Sequence, residues 1–460
     1  MAPTYGPPSG AAIPDGTVGT ADLADGAVTA ERVSAEVRAS LARADAAIPT
    51  GVTGIVDLTG LLGPVSRTPP RTPPTIVTSF QSGHGWTTLG TGVTSNLNDT
   101  TDYILGSQSA SVTSNGSGAA ASIRKTGVPN ADLSASTVRL LIKVDGIDNL
   151  ASLSLYVGDK AFNNHYIIPI YSPGDSKSIS DGEWQWIEVG FANSEVGGGS
   201  PNRATITAWQ LRFTDNSAAA VTVHVNAVGF VPDQSAFPNG VVSITFDDTL
   251  VTQRTVAAPL LDRYGFAASA MTIADQVGAD ADHLSLAQLR ELRELHGWEV
   301  AGHAYTATNH NAGFSSLSES ALDNELRALK TWLCAHGFGS YDYLAYPLGE
   351  FSPLIERYVG KYFSAARTIA AVPLQMLPAV NPYRLRSKTV ANSTSTSMLT
   401  GMVDDAYDNK AWLSFTFHSI VATADESTEY STANFTTVVD YIASKGIPVR
   451  TVGEVLSSVG

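Results

Sequence analysis

The sequence predicts a multidomain protein with an all-β sandwich (residues 76–232) followed by a C-terminal (β/α) barrel (residues 233–460). Ahead of them we expect an N-terminal segment with a short coiled coil (residues 1–62) and a proline-rich linker (residues 63–75). Three observations support this division of the chain into domains. The 460 residues leave room for two to four domains. The middle third alternates in short runs between turn residues, as strands do. After Val241 the chain alternates between strand and helix patterns, which is typical of parallel βα units.

The N-terminal segment combines a short repeat with a heptad stripe. The stretch "DGTVGTADL" starts at Asp15, and "DGAVTAERV" starts at Asp25. Apolar residues then recur at spacings of four and three, the pattern of a coiled coil: Val33, Val37, Leu41, Ala44 and Ile48. A helix of about two heptads is marginal alone. We therefore expect self-association, as a homotrimer, with a solitary helix against a neighbouring domain as the alternative.

The linker and the sandwich follow. "GPVSRTPPRTPP", from Gly63, is typical of extended polyproline II. The predicted strands of the sandwich are "STVRLLIKVD", "ASLSLYVG", "WQWIEVGF", "TAWQLRFTD" and "AVTVHVNAVGFV". Together they resemble a jelly-roll carbohydrate-binding module. Four tryptophans could stack on sugars, although a core position is the favoured interpretation for each: Trp86, Trp184, Trp186 and Trp209.

The C-terminal region alternates strands with capped helices. We predict strands at "VVSITF", "FAASAMTI", "WEVAG", "YLAYP", "WLSFTF" and "PVRTV". One intervening helix begins with a capping box, Ser285 with Gln288, and ends at Gly297. Another begins at Ser352 with Pro353 in its first position. About seven βα units favour a barrel of parallel strands, whose active site lies where strands end.

Charge and targeting signals narrow the class of function. A formal net charge of −15 argues against nucleic acid or an anionic membrane as a partner. The N-terminus has neither the basic nor the apolar region of a signal peptide, and no stretch has the 18 or more apolar residues of a membrane span. The single cysteine, Cys334, lies in an amphipathic helical pattern and is interpreted as a core thiol.

Four predicted strand ends carry polar groups or a tight turn. "VVSITF" ends in Asp247 and Asp248, "WEVAG" in His303, "YLAYP" in the turn at residues 347–349, and "WLSFTF" in His418. For an isolated Asp pair, a helix cap would be the better interpretation. The coincidence at several strand ends favours a metal enzyme instead. The remaining histidines other than His310 are assigned to structure or surface: His84, His165, His224, His283, His296 and His336.

Residues 238–455 resemble the polysaccharide deacetylase domain (NodB homology, carbohydrate esterase family 4), which is a deformed (β/α) barrel. "TFDD", "YPLG" and "FTFH" match its first, third and fifth motifs. "GHAYTATNH" corresponds to the second, with Ala304 for Ser/Thr and with His310 three residues late. On a straight helix His303 and His310 would be separated by roughly 10 Å. We therefore expect residues 304–309 to form a loop.

The resemblance implies a role for each residue of the site. Asp248, His303 and His310 would hold a divalent metal ion, with zinc favoured. Asp247 would be the general base and His418 the general acid, as that family uses them. The backbone N–H of Leu348 would stabilise the oxyanion. Ala345 stands where the family has an arginine, so Arg367 or Arg386 is the candidate replacement, and the fourth motif has no match.

We therefore expect a metal-dependent deacetylase of an acetylated host-envelope glycan. The N-terminal repeat resembles the attachment regions of bacteriophage tail proteins, especially in phages of actinobacteria. This implies a virion component that joins other tail proteins through its N-terminus and acts at the host surface. A bacterial extracellular enzyme is the alternative location. The alternative function is a receptor-binding adhesin that keeps the fold without catalysis, and Ala345 favours it.

Overall fold

The computed structural model describes residues 74–172, 179–339 and 342–458. The predicted coiled coil, the attachment segment and nearly all of the linker lie outside the described residues. The described residues fall within one compact unit, Thr50–Gly460. None of the described helices combines the length and apolarity needed to cross a bilayer.

Residues 75–232 form two facing antiparallel sheets. Their strands are β1 (Thr75–Ser79), β2 (Thr87–Leu89), β3 (Thr94–Asp99), β4 (Ser109–Thr113), β5 (Ala120–Ala131), β6 (Ser136–Asp145), β7 (Leu150–Gly158), β8 (His165–Tyr171), β9 (Gln185–Val189), β10 (Glu195–Gly198), β11 (Ile206–Asp215) and β12 (Thr222–Pro232). The first sheet has the order β3-β4-β12-β6-β9, with β1 also paired to β12. The second has the order β10-β8-β7-β11-β5-β2.

The sandwich core follows the alternation of the strands. Because successive side chains point to opposite faces, Trp209 and its neighbours two and four residues on are buried in one apolar cluster between the sheets. Trp86 belongs to the same cluster, so the core interpretation is confirmed for these two tryptophans. Trp184 and Trp186 are only partly buried, and Trp184 Nε1 donates to Asp102 at 2.6 Å.

The C-terminal region contains nine strands and eight α-helices within the described residues. The strands are β13 (Val241–Phe246), β14 (Ser269–Ile273), β15 (Glu299–Ala304), β16 (Tyr343–Ala345), β17 (Ala365–Arg367), β18 (Lys388–Thr389), β19 (Trp412–Phe417), β20 (Ser419–Val421) and β21 (Glu429–Ser431). The helices are α1 (Ala258–Asp262), α2 (Leu286–His296), α3 (Ala307–Ala312), α4 (Glu319–Ala335), α5 (Pro353–Val359), α6 (Thr396–Asn409), α7 (Thr432–Lys445) and α8 (Val452–Ser457).

Seven of these strands form one parallel sheet in the order β17-β16-β15-β14-β13-β19-β18. It is a half-barrel, consistent with the expected deformed barrel. Both predicted caps are present: Ser285 with Gln288 forms the capping box of α2, and Ser352 caps α5. The last predicted strand, "PVRTV", is wrong. Val449 makes only an isolated bridge to Val242, because the capping box of Thr451 starts α8 directly afterwards.

Buried polar contacts join the sandwich to the half-barrel. Arg139 pairs with Glu188 within the sandwich at 3.3 Å, and its other Nη donates to the Pro378 carbonyl of the half-barrel at 2.6 Å. Glu188 in turn accepts from the Val380 amide at 2.8 Å. Arg384 of the half-barrel pairs with Glu183 of the sandwich at 2.7 Å. These bonds satisfy groups that would otherwise be buried without partners, so they favour a fixed junction.

Candidate metal and catalytic site

The site begins at the turn after β13, where both aspartates reach one edge of the sheet. The Asp247 amide still donates to Phe417 of β19 at 2.9 Å. Asp248 and Thr249 then adopt left-handed conformations, with φ of 69° and 61°. Such a φ is unusual for a β-branched threonine and is typically retained where the surroundings enforce it. Here the Thr249 hydroxyl accepts from the Ile273 amide of β14 at 2.8 Å, which fixes the turn.

The two histidines of the second motif meet through a strand, a turn and a helix. His303 is the penultimate residue of β15, and His310 lies on α3. Their Nε2 atoms are 2.9 Å apart. The expected loop at 304–309 is therefore wrong in part, since Ala304 belongs to the strand and α3 begins at Ala307. The chain turns between them, which brings together side chains that a straight helix would hold apart.

A buried acid stabilises this turn and was missed by the sequence analysis. One Glu325 carboxylate oxygen accepts from the amides of Tyr305 and Thr306 at 2.7 and 2.8 Å. The other accepts from Asn309 Nδ2 at 2.6 Å. Thr306 also caps α3 by accepting from the Asn309 amide. A signal was present in the sequence, because Glu325 lies on the apolar face of α4, three residues after Leu322.

Asp248, His303 and His310 offer ligand atoms that all lie within 4.8 Å of one another. Asp248 Oδ1 lies 3.5 Å from His303 Nε2 and 3.4 Å from His310 Nε2. Tetrahedral bonds of about 2.0–2.1 Å place ligand atoms roughly 3.3 Å apart. Asp248 Oδ1 is buried and has no hydrogen bond to any described residue. His303 Nδ1 contacts the Ala345 carbonyl at 2.9 Å, which leaves Nε2 for a ligand. The three residues therefore fit a divalent cation.

An arginine contacts Asp247 from the strand next to Ala345, the position at which the resemblance implies an arginine. Arg367, on β17, donates to Asp247 Oδ1 and is 1% exposed. Its position is the register partner of Ala345 on β16. Arg386 does not reach the site: its amide donates to Gln375 and its guanidinium donates to the Glu188 carbonyl. Arg386 as a supporting residue is therefore wrong, because it lies at the sandwich junction.

His418 follows β19 directly, and its Nε2 lies 3.9 Å from Asp248 Oδ2. Its Nδ1 is buried and has no hydrogen-bond partner among the described residues. This agrees with the missing fourth motif, which would have supplied a carboxylate. His418 thus reaches the site without the orienting partner that usually fixes an imidazole.

Leu348 lies in the tight turn Pro347–Gly349, at the end of β16. Leu348 has a φ of 56° and its side chain is about half exposed. Gly349 has a φ of 67°, and a Cβ there would lie 2.6 Å from Ile369 Cγ1, so a larger residue would not fit. The Gly349 carbonyl accepts from the Thr368 hydroxyl at 2.6 Å, which ties this turn to the residue after Arg367.

The charges of the site support one another. Burial alone would raise the pKa of Asp247, but Arg367 and His303 outweigh it and hold that pKa below its usual value. The pKa of Asp248 is also lowered against burial, by His303 first. Burial lowers the pKa of His310, and the neighbouring His303 adds to this effect. Ionised carboxylates and a neutral His310 are the protonation states that metal ligation requires. Burial disfavours the charged form of His303, but Asp247 and Asp248 outweigh it and raise the pKa of His303, so a bound metal ion would have to displace a proton there.

The other candidate groups lie outside this cluster. The six remaining histidines each contact a backbone carbonyl or a carboxylate outside the site. Cys334 is half-buried rather than fully buried. Burial raises the pKa of its thiol, which disfavours a reactive thiolate.

Residues 234–362 match the model of the polysaccharide deacetylase family. This range contains the aspartate pair, both histidines and the Leu348 turn, whereas Arg367 and His418 lie beyond it. No protein with a curated description matches the chain.

Three solved structures are similar to parts of this chain. The Xyl-CE4 domain of a multidomain xylanase from the hindgut metagenome of Trinervitermes trinervoides is 16% identical, with 48% of this chain and 90% of that chain covered and a TM-score of 0.34. A family 4 acetyl xylan esterase from Clostridium thermocellum is 15% identical, with 47% and 90% covered and a TM-score of 0.33. A family 11 carbohydrate-binding module from Clostridium thermocellum is 14% identical, with 34% and 92% covered and a TM-score of 0.26. These identities and TM-scores are too low to support a conclusion about the fold or the activity of this chain.

Proposed function

We propose that the half-barrel is a metal-dependent deacetylase of an acetylated cell-envelope polysaccharide. The observation that carries this proposal is the convergence of Asp248, His303 and His310 on one point beside Asp247, which Arg367 holds. A structural role alone would not explain why Asp248 Oδ1 is buried without a hydrogen bond from the residues that the structure describes. The match of residues 234–362 to the polysaccharide deacetylase family supports the choice of reaction.

The three ligands leave coordination positions open, as catalytic sites do. A divalent cation, for which zinc suits these nitrogen and oxygen donors, would polarise the acyl oxygen and lower the pKa of a bound water towards about 7. The chain itself holds the ligands in place. The Ala345 carbonyl orients His303, and Glu325 fixes the turn that carries His310.

Asp247 accepts the proton of the attacking water in this proposal. Asp247 is 4% exposed, and Arg367 keeps its carboxylate ionised and oriented. The water oxygen bonds to the acyl carbon, and the bond from that carbon to the glycan nitrogen or oxygen then breaks. His418 gives a proton to the departing group, and acetate is released. The Leu348 N–H donates to the acyl oxygen as negative charge develops there, which typically contributes about 100- to 1000-fold in rate.

An adhesin with the same fold is the second candidate. Its original support, Ala345, is weakened because Arg367 supplies a guanidinium from the neighbouring strand. The observation that still favours it is the His418 Nδ1 without a partner among the described residues. A general acid that no neighbour orients would transfer its proton less efficiently.

Metal content and acetate release separate the two candidates. The full chain is loaded with Zn²⁺, its metal per chain is measured by elemental analysis, and acetate is measured after incubation with acetylated chito-oligosaccharides and host-wall fragments. If the half-barrel is an enzyme, we expect one metal ion per chain and a release of acetate that stops after chelation. Metal binding without acetate from any acetylated glycan would favour the adhesin.

We further propose a virion location, with the chain carried on a phage tail as a homotrimer. The support is the repeat and heptad stripe of residues 15–48, which lie outside the described residues. Light scattering of the full chain, compared with a chain beginning at residue 76, tests the association. Equal monomeric masses would contradict it.

A further inference from the structure

The outer face of the second sandwich sheet carries a row of polar and aromatic side chains. In the ladders, Gln210 of β11 lies opposite Arg124 of β5 and Tyr156 of β7. Directly opposite residues share a face, so these three point away from the core that receives Trp209. Arg212 occupies the same face one row further on, because it is two residues from Gln210.

Within the described part of the chain, the basic side chains of this face contact polar and aromatic neighbours rather than acids, and Arg124 Nε donates to Gln210 Oε1 at 2.7 Å. Arg212 is exposed, and its Nη1 donates to the Tyr156 hydroxyl at 3.2 Å. Tyr156 is stacked with His165, with centroids 5.7 Å apart. The Arg124 guanidinium lies 4.5 Å from the centre of the Phe162 ring. We call Arg124, Tyr156, Phe162, His165 and Arg212 the basic-aromatic face.

The loop that presents Phe162 is held in an uncommon conformation. Phe162 has a φ of 55°, which an aromatic residue rarely adopts. The Asp159 carboxylate fixes the loop by accepting from the amides of Ala161, Asn163 and Asn164 at 3.0–3.1 Å. The aromatic ring is therefore preorganised beside Arg124, which reduces the entropy lost when a ligand binds.

The charge of this face is opposite to that of the chain. The protein has a formal net charge of −15, yet among the described residues no ion pair involves Arg124 or Arg212. Guanidinium groups match carboxylates in geometry and charge. Tyr156 and Phe162 are each partly exposed, but His165 is stacked on Tyr156 and Arg124 lies over Phe162. A sugar ring would contact the part of each ring that these neighbours leave uncovered.

We propose that the basic-aromatic face binds a carboxylate-bearing polysaccharide, with uronate groups at Arg212 and Arg124 and sugar rings against Tyr156 and Phe162. This site is separate from the metal cluster. It rests on the proposed function in one respect: the face would bind the same envelope glycan that the half-barrel deacetylates.

Calorimetry of the full chain with hexagalacturonate and with neutral cellohexaose tests the proposal. We expect binding of hexagalacturonate at least roughly tenfold tighter than that of cellohexaose, weakening as salt rises. Arg212→Gln should lose roughly tenfold in affinity, the typical effect of removing one charge-assisted hydrogen bond. The matched control is Arg290→Gln, an exposed arginine on α2, which should bind like the parent.

The two proposals fail in distinguishable ways. Arg212→Gln should release acetate from a short acetylated chito-oligosaccharide at the parent rate, because that reaction uses the half-barrel. Asp247→Asn should still bind hexagalacturonate like the parent. Absence of hexagalacturonate binding, equal affinity for the neutral sugar, or an unchanged Arg212→Gln would each overturn the proposed face, whatever the outcome of the acetate assay.

Discussion

Asp247→Asn tests both the catalytic role and the buried ion pair of the site. The amide keeps the shape of the side chain but cannot take a proton from water at neutral pH. General-base catalysis is typically worth about 100- to 10,000-fold. We expect acetate release to fall by that factor while metal per chain stays near the parent value, since Asp248 remains as the ligand.

The same substitution should also destabilise the fold. Arg367 and Asp247 are 1% and 4% exposed, so Asp247→Asn leaves a guanidinium buried without its charge partner. Breaking a buried pair from one side typically costs about 3–5 kcal/mol. The double variant Asp247→Asn with Arg367→Met removes both charges and should recover part of that loss. Urea unfolding of the chelated proteins measures these free energies without a contribution from bound metal.

A surface pair of similar geometry provides the control. Asp404 and Lys445 are 2.5 Å apart, but their side chains are 39% and 25% exposed. Asp404→Asn should therefore cost less than about 1 kcal/mol. If Asp247→Asn released acetate at the parent rate, Asp247 would not be the base. If it destabilised the chain no more than Asp404→Asn does, the buried-pair reasoning would be refuted.

Three further predictions concern the metal site and the core. His310→Ala should lose most bound Zn²⁺ by elemental analysis, and parent-like binding would mean that the second imidazole ligand lies elsewhere. Glu325→Gln should weaken Zn²⁺ binding by about 10- to 100-fold in a chelator competition, because the turn before α3 loses its charged acceptor, and unchanged affinity would remove that role. Burial raises the pKa of Glu299 to about 7 from its ordinary 4.5, so the folded state favours the proton and stability falls as pH rises from about 4.5 through 7. Glu299→Gln should remove most of this loss in the free energy of unfolding, which amounts to roughly 3 kcal/mol between a pH below 4.5 and a pH above 7. Urea unfolding of both proteins at pH 5 and pH 8 measures the difference, and an equal pH dependence in the two proteins would refute the prediction.

The sequence by itself determined which strand ends carry the candidate site residues. Asp247, Asp248, His303 and His418 each follow or end an apolar strand, and parallel strands place those ends at one edge. The helix N-caps at Ser285 and Ser352 could also be predicted from the sequence, because an N-cap depends only on residues within one helical turn. Local pattern was sufficient wherever the interaction was local.

Only the tertiary structure decided how the site is completed. Arg367 reaches Asp247 because neighbouring parallel strands bring its position into register with Ala345, although 22 residues separate the two. The helix that carries His310 depends on Glu325, which approaches from α4. Arg386 and Arg367 are both basic residues near strand ends, yet packing directs one to the sandwich junction and the other to Asp247. The spacing of residues in the sequence cannot predict these contacts, because they depend on strand register and on which face of a strand or helix is covered.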